Sequence, residues 1–270
     1  MRRRGRVDSG RRFPLCWRPE GAGLPNERIP HVHQEQHSWN SPALGREMDI
    51  MVFGQSGAKL LVFPTTLGSH REWYDRHMHR VLGDHLEQGW IQMFCVDHAH
   101  GDSWYNKTIH PGARAWRHLQ YDRYIRDEVV PFMNRRNPTP FTIAAGASFG
   151  AYHAVCFAFR NPTLVNRVIG MSGLYDISEM TGGYSDANVY ACNPSAFMKN
   201  EHDPERIAAF QKQDIVFTIG RGDPSFDNNQ ELSTTLWQKR IGNALRVSEG
   251  HAHDWPYWEK VIRRYIGGHD

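Results

Sequence analysis

Residues 141–162 read FTIAAGASFGAYHAVCFAFRNP. Phe141 to Ala145 is a short apolar run of the kind that forms a buried strand. Ala151 to Arg160 is a small-residue segment of helical character, stopped by Asn161-Pro162. Between them lies Gly146-Ala147-Ser148-Phe149-Gly150, a Gly-x-Ser-x-Gly pattern. A sharp strand-to-helix turn there strains the serine backbone and pushes its hydroxyl into the open. The two glycines give the room, because a Cβ at either position would collide with the neighbouring strand or helix. Five small residues make a weak pattern alone; the strand-to-helix context makes Ser148 a candidate nucleophile.

Working outward, strands and helices alternate. Strands are expected at 48–53, 60–63, 90–96, 165–171, 215–219 and 244–247, and helices at 71–88, 113–135 (bent or ended near Pro131), 229–240 and 256–266. Such alternation predicts an α/β fold with a mostly parallel sheet covered on both faces. A Gly-, Asn- and Pro-rich excursion at about 174–212 is too irregular for one helix. Its Tyr184, Tyr190 and Phe197 are the expected partial lid and acyl-pocket wall. At 270 residues the chain suits one such domain, over 31–270.

The net charge is +3, and residues 1–20 alone carry seven arginines against Asp8 and Glu20, a net of +5. The remainder is therefore about −2, close to neutral, which argues against a nucleic-acid footprint. Residues 1–30 read as a basic, disordered tail without the apolar stretch of a secretory signal. No segment reaches the roughly 20 apolar residues of a membrane span. Cys16, Cys95, Cys156 and Cys192 show no paired spacing, and Cys95 and Cys156 sit in apolar segments. A reduced, cytoplasmic setting is expected.

A serine hydroxyl becomes an effective nucleophile only beside a neutral imidazole that a carboxylate orients. In a doubly wound sheet such groups belong on loops at the C-terminal strand ends. Past the strand 215–219 comes Gly220-Arg221-Gly222-Asp223, and past 244–247 comes Gly250-His251-Ala252-His253-Asp254-Trp255. Asp223 is the expected acid, with Asp227 as second choice. His253 is the expected base, with His251 as second choice, because Trp255 can hold that loop and open the last helix. An oxyanion hole needs two aimed donors. One is the backbone N–H of Phe149. The other is expected from Pro64-Thr65-Thr66-Leu67-Gly68, at Thr66 or alternatively Thr65.

Taken together these residues resemble the esterase branch of the α/β-hydrolases, which includes esterase D (S-formylglutathione hydrolase) and the secreted mycolyltransferases. The resemblance rests on Gly146–Gly150, on Gly220-x-x-Asp223, on His253-Asp254-Trp255 with Trp258, and on Ser103-Trp104-Tyr105, and it covers about 40–268. It implies Ser148, Asp223 and His253 as nucleophile, acid and base, in a serine carboxyl-ester hydrolase working through an acyl-enzyme without metal or organic cofactor. Many members carry His-Gly where this chain has Pro64-Thr65. Trp104, Tyr105 and Trp255 are the expected substrate contacts, and the partner is a small-molecule ester or thioester.

Two other readings compete. His98-Ala99-His100-Gly101-Asp102 is similar to the His-x-His-x-Asp start of metal-dependent hydrolases, although Ser103 stands where a further histidine normally follows. The fold also hosts binding proteins without catalysis; an intact serine, acid and histidine argue against that.

Overall fold

A computed structural model describes residues 32–250 and 252–268. The tail at 1–30, Cys16 and the second-choice base His251 lie outside the described residues. Eight strands form one sheet there: β1(Gln34–Ser41), β2(Arg46–Phe53), β3(Ala58–Phe63), β4(Ile91–Val96), β5(Thr142–Ala147), β6(Arg167–Met171), β7(Asp214–Gly220) and β8(Ala244–Ser248). Their order is β1-β2-β4-β3-β5-β6-β7-β8. The pairs β1–β2 and β2–β4 are antiparallel, and the rest are parallel.

Alternation of side chains divides the central strands between two cores. Leu61, Phe63, Ala144 and Phe217 face one side; Leu60, Val62, Ile143, Ala145 and Val216 face the other. The first core is covered by α4(Pro111–Tyr124), α5(Val130–Arg136), α6(Phe149–Arg160) and α10(Phe226–Gln238), through residues such as Tyr121, Met133, Phe157 and Leu232. The second is covered by α1(Glu72–Asp75), α2(Met78–Val81), α3(Gly83–Glu87) and α11(Trp255–Tyr265), through Trp73, Met78, Leu86, Trp258 and Ile262. Each large apolar side chain so buried contributes about 1.5–3 kcal/mol. Parallel pairing also aligns the strand ends: Phe63 lies beside Gly146, Ala147 beside Met171, Met171 beside Thr218, and Gly220 beside Ser248. One edge thus receives the loops after β3, β5, β6, β7 and β8.

Three expectations change in detail. The single helix at 71–88 is three short ones, because His77 takes a left-handed φ of 58° between α1 and α2. The helix at 113–135 is continuous but widens into a π-turn over Ile125–Val129, just before Pro131, which has no N–H to give the ladder. The excursion contains α7(Ala187–Ala191), α8(Pro194–Lys199) and α9(Pro204–Phe210), started by the side-chain caps of Asp186, Asn193 and Asp203. Among the described residues no helix is long and apolar enough to cross a membrane.

Candidate active site

Ser148 has φ 54° and ψ −122°, a strained conformation for a residue with a Cβ, at the N-cap of α6. Its N–H donates to the Met171 carbonyl at 2.7 Å, tying the turn to β6. The glycines are needed on both sides. A Cβ on Gly146 would stand 2.3 Å from the backbone of Gly150, and one on Gly150 would stand 2.4 Å from the Phe63 carbonyl oxygen. That second close approach also brings the loop after β3 against the start of α6.

His253 Nε2 lies 3.0 Å from Ser148 Oγ, and His253 Nδ1 lies 2.7 Å from Asp223 Oδ2. The Asp223 side chain is 2% exposed and that of His253 33%. Asp223 uses both oxygens, since Oδ1 accepts the Ser225 N–H at 2.8 Å. With Nδ1–H donated to the carboxylate, the Nε2 lone pair faces the serine. Asp227 stands instead beside Lys199 and Glu231 on a surface groove. The loop carrying the histidine is held from beneath. Ser172 Oγ donates to the Ala252 carbonyl at 2.6 Å and accepts the Trp258 indole N–H at 3.0 Å, while the Trp258 ring stacks edge-on against His253. Ser172 itself has φ 52°.

The loop after β3 separates its two threonines. Thr65 gives its N–H (2.8 Å) and hydroxyl (2.5 Å) to the Glu72 carboxylate. Leu67, at φ 54°, gives its N–H to His100 Nδ1 at 3.0 Å. The Thr66 N–H between them has no protein partner among the described residues, and neither has that of Phe149, the first residue of α6. The Thr66 hydroxyl meets Tyr105 Oη at 3.1 Å.

His100 carries this arrangement inward. Because its Nδ1 accepts from Leu67, its Nε2 holds the proton and donates to His153 Nε2 at 2.8 Å, the rings stacking 4.8 Å apart. Burial pushes both imidazoles well below the ordinary histidine value, helped by neighbouring histidines. Burial likewise takes nearby His118 down to about 3. All three are neutral near pH 7. The geometry lends no support to the metal reading of 98–102. Both nitrogens of His100 are committed, His98 Nδ1 accepts the His100 N–H, and Asp102 pairs with Arg46 at 3.0 Å.

Two further expectations need correction. Trp104 is fully buried against His118 and Tyr152, so of the aromatic pair only Tyr105 reaches the site, beside Phe149. Tyr190 and Phe197 line a groove with Arg160 and Arg206 whose lining includes none of Ser148, Asp223 and His253, and exposed Tyr184 packs on His110. The part of the excursion that joins Phe149 and Tyr152 is Ile177, Met180, Val189 and Cys192. Trp255 lies between Trp258 and the Arg76 guanidinium, next to the histidine loop. Sequence reasoning missed Glu72, Ser172 and His153. Their partners lie seven, eighty and fifty-three residues away, and no local spacing signals them.

A family model described as "Putative esterase" matches residues 97–269. No curated protein matches the sequence. Solved structures do. A ferulic acid esterase is similar at 18% identity over 86% of this chain and 95% of its own, with a TM-score of 0.69. An S-formylglutathione hydrolase from Staphylococcus aureus is similar at 16% over 88% and 98%, with a TM-score of 0.65. One from Agrobacterium tumefaciens is similar at 13% over 90% and 95%, with a TM-score of 0.69. At such identities the likeness shows a shared fold.

Proposed function

The chain belongs to this esterase family and is a serine hydrolase of the α/β-hydrolase fold, and from that premise we propose that it cleaves small carboxyl esters or thioesters through Ser148, His253 and Asp223. The observation that carries the assignment is the continuous hydrogen-bonded path from Asp223 through His253 to Ser148, 2.7 and 3.0 Å long.

Ser148 Oγ attacks the acyl carbon as His253 Nε2 takes its proton. The imidazolium so formed is stabilised by the buried Asp223 carboxylate, then protonates the departing alcohol or thiol. The developing oxyanion is received by the N–H groups of Phe149 and Thr66, each contributing about 2.7–4 kcal/mol to the transition state. Thr66 is favoured over Thr65 because the Thr65 N–H is already given to Glu72. Water, deprotonated by His253, then releases the acyl group. Tyr105 and Phe149 supply one wall for the substrate, and Ile177, Met180 and Val189 back it. The three described cysteines are all free and buried, which supports the cytoplasmic placement.

The test is hydrolysis of short p-nitrophenyl esters. Ser148→Ala should lower kcat about 10⁴- to 10⁶-fold, and a fluorophosphonate should label the peptide bearing Ser148 and no other. A Ser148→Ala enzyme keeping a tenth of the wild-type rate overturns the assignment.

A further inference from the structure

A second group of side chains, outside the path from Asp223 to Ser148, converges on an unfilled point. Asp97 follows β4 and gives its N–H to the Asp49 carbonyl on β2 at 3.1 Å, so the two residues stand opposite each other. They share the parity of Met51 and Cys95, whose side chains enter the core beneath α1 and α2. Over that same face lies His70, in the turn between Gly68 and α1. It is 8% exposed, and neither ring nitrogen has a hydrogen-bond partner. His79, His85, His118 and His153 each leave one buried nitrogen unpaired; His70 leaves both.

Burying an imidazole with no partner for either nitrogen is costly, and so is facing two carboxylates across a half-buried edge. One nitrogen of His70 and one oxygen from each of Asp49 and Asp97 all lie within 4.8 Å of one another. Some point is therefore no farther than about 2.8 Å from all three. Shifts of roughly 0.7 Å close this to the ~2.0–2.2 Å of zinc–nitrogen and zinc–carboxylate bonds. Among the described residues Arg46 pairs with this group: its Nη1 is 3.9 Å from Asp97 Oδ2, and its Nε donates to Asp102.

We propose that Asp49, His70 and Asp97 form a structural site for a divalent transition-metal ion of the zinc class. A nitrogen donor with two carboxylates suits zinc or manganese, whereas magnesium and calcium prefer oxygen alone. Two charges from the carboxylates balance the ion, and an unpartnered ring nitrogen of His70 supplies the third bond. Such an ion would fasten the turn that follows the Thr66 loop to the antiparallel edge of the sheet.

The full chain, stripped with a chelator and dialysed, is titrated with zinc chloride by calorimetry and melted with and without it. The expected result is one equivalent bound and a melting temperature raised by roughly 5–10 °C at a hundredfold excess over Kd. Both effects should be lost in His70→Ala and in Asp49→Asn; the second variant changes a half-exposed position and keeps the test informative if the first fails to fold. Unchanged melting of the stripped wild type in zinc overturns the site. Wild-type uptake in both variants also overturns it, by assigning the metal to other histidines.

Discussion

The two loops that flank Ser148 are held in opposite ways. The His253 loop is restrained at the functional group itself: the Asp223 carboxylate bonds the imidazole, and Ser172 with Trp258 supports the adjoining backbone. The Thr66 amide has no such bond. If the Thr66 amide receives the oxyanion as proposed, it must stay unpaired until substrate arrives, and it is the neighbours that are fastened, Thr65 by Glu72 and Leu67 by His100. A group that acts through a proton can be gripped directly. One that acts by being open has to be suspended.

The sharpest way to break the first half of that comparison is Asp223→Asn. The amide oxygen should stay where Oδ1 accepts the Ser225 N–H, which turns the NH₂ toward His253 Nδ1. Nδ1 must then accept, the ring proton moves to Nε2, and the lone pair facing Ser148 disappears. We expect kcat to fall about 10⁴-fold with folding intact. A loss under tenfold, measured on p-nitrophenyl esters, would show that the direct grip on the imidazole is dispensable.

A paired experiment weighs suspension against support. His100→Leu keeps bulk but removes the acceptor for Leu67 N–H, freeing a strained residue next to Thr66. It should lower kcat about 10- to 100-fold with KM changed little, since an oxyanion donor acts mainly in the transition state. His100→Asn, whose Oδ1 can take the place of Nδ1, should recover part of the rate. Ser172→Ala should do the reverse. It leaves a buried carbonyl and an indole N–H unpaired, costing about 1–3 kcal/mol of stability, while Asp223 keeps kcat within about threefold. If His100→Leu is kinetically silent, or Ser172→Ala is the slower enzyme, the two loops are not held in these different ways.

Much of this arrangement is legible in the sequence. Gly146 and Gly150 around Ser148, and Asp223 and His253 just past short apolar strands, are local patterns that alternation and turn chemistry expose. β1 was not legible: Gln34–Ser41 is an edge strand with alternating exposed polar residues and almost no apolar signal. The break at His77 was hidden because the apolar spacing of 71–88 runs through it, whereas Pro131 did mark the irregularity of 113–135 that takes the form of a π-turn over Ile125–Val129. The fasteners were hidden for a different reason. Glu72, His100 and Ser172 act across turns or between distant strand ends, and an isolated polar residue gives no sign of its partner. Trp104 misled because an aromatic beside a reactive loop reads the same whether it faces substrate or the core.

The last expected effect concerns acid stability, and it too separates the loops. The suspended side leans on neutral buried histidines, while the His253 side leans on a hydroxyl, an indole and a carboxylate. His100, His118 and His153 are all held below the ordinary histidine value, chiefly by burial. In the unfolded chain each takes up a proton near pH 6.5. Below that pH the unfolded state therefore binds more protons than the folded one, and stability must fall as pH drops, continuing toward about 3 for His118. Each group contributes up to about 1.4 kcal/mol per pH unit once well under 6.5. Urea denaturation between pH 7.5 and 5 should show the decline, and His118→Phe should reduce its slope by about one proton's worth. An unchanged slope in that variant would mean His118 is already protonated in the folded protein, and that the histidine cluster behind the Thr66 loop is not a neutral one.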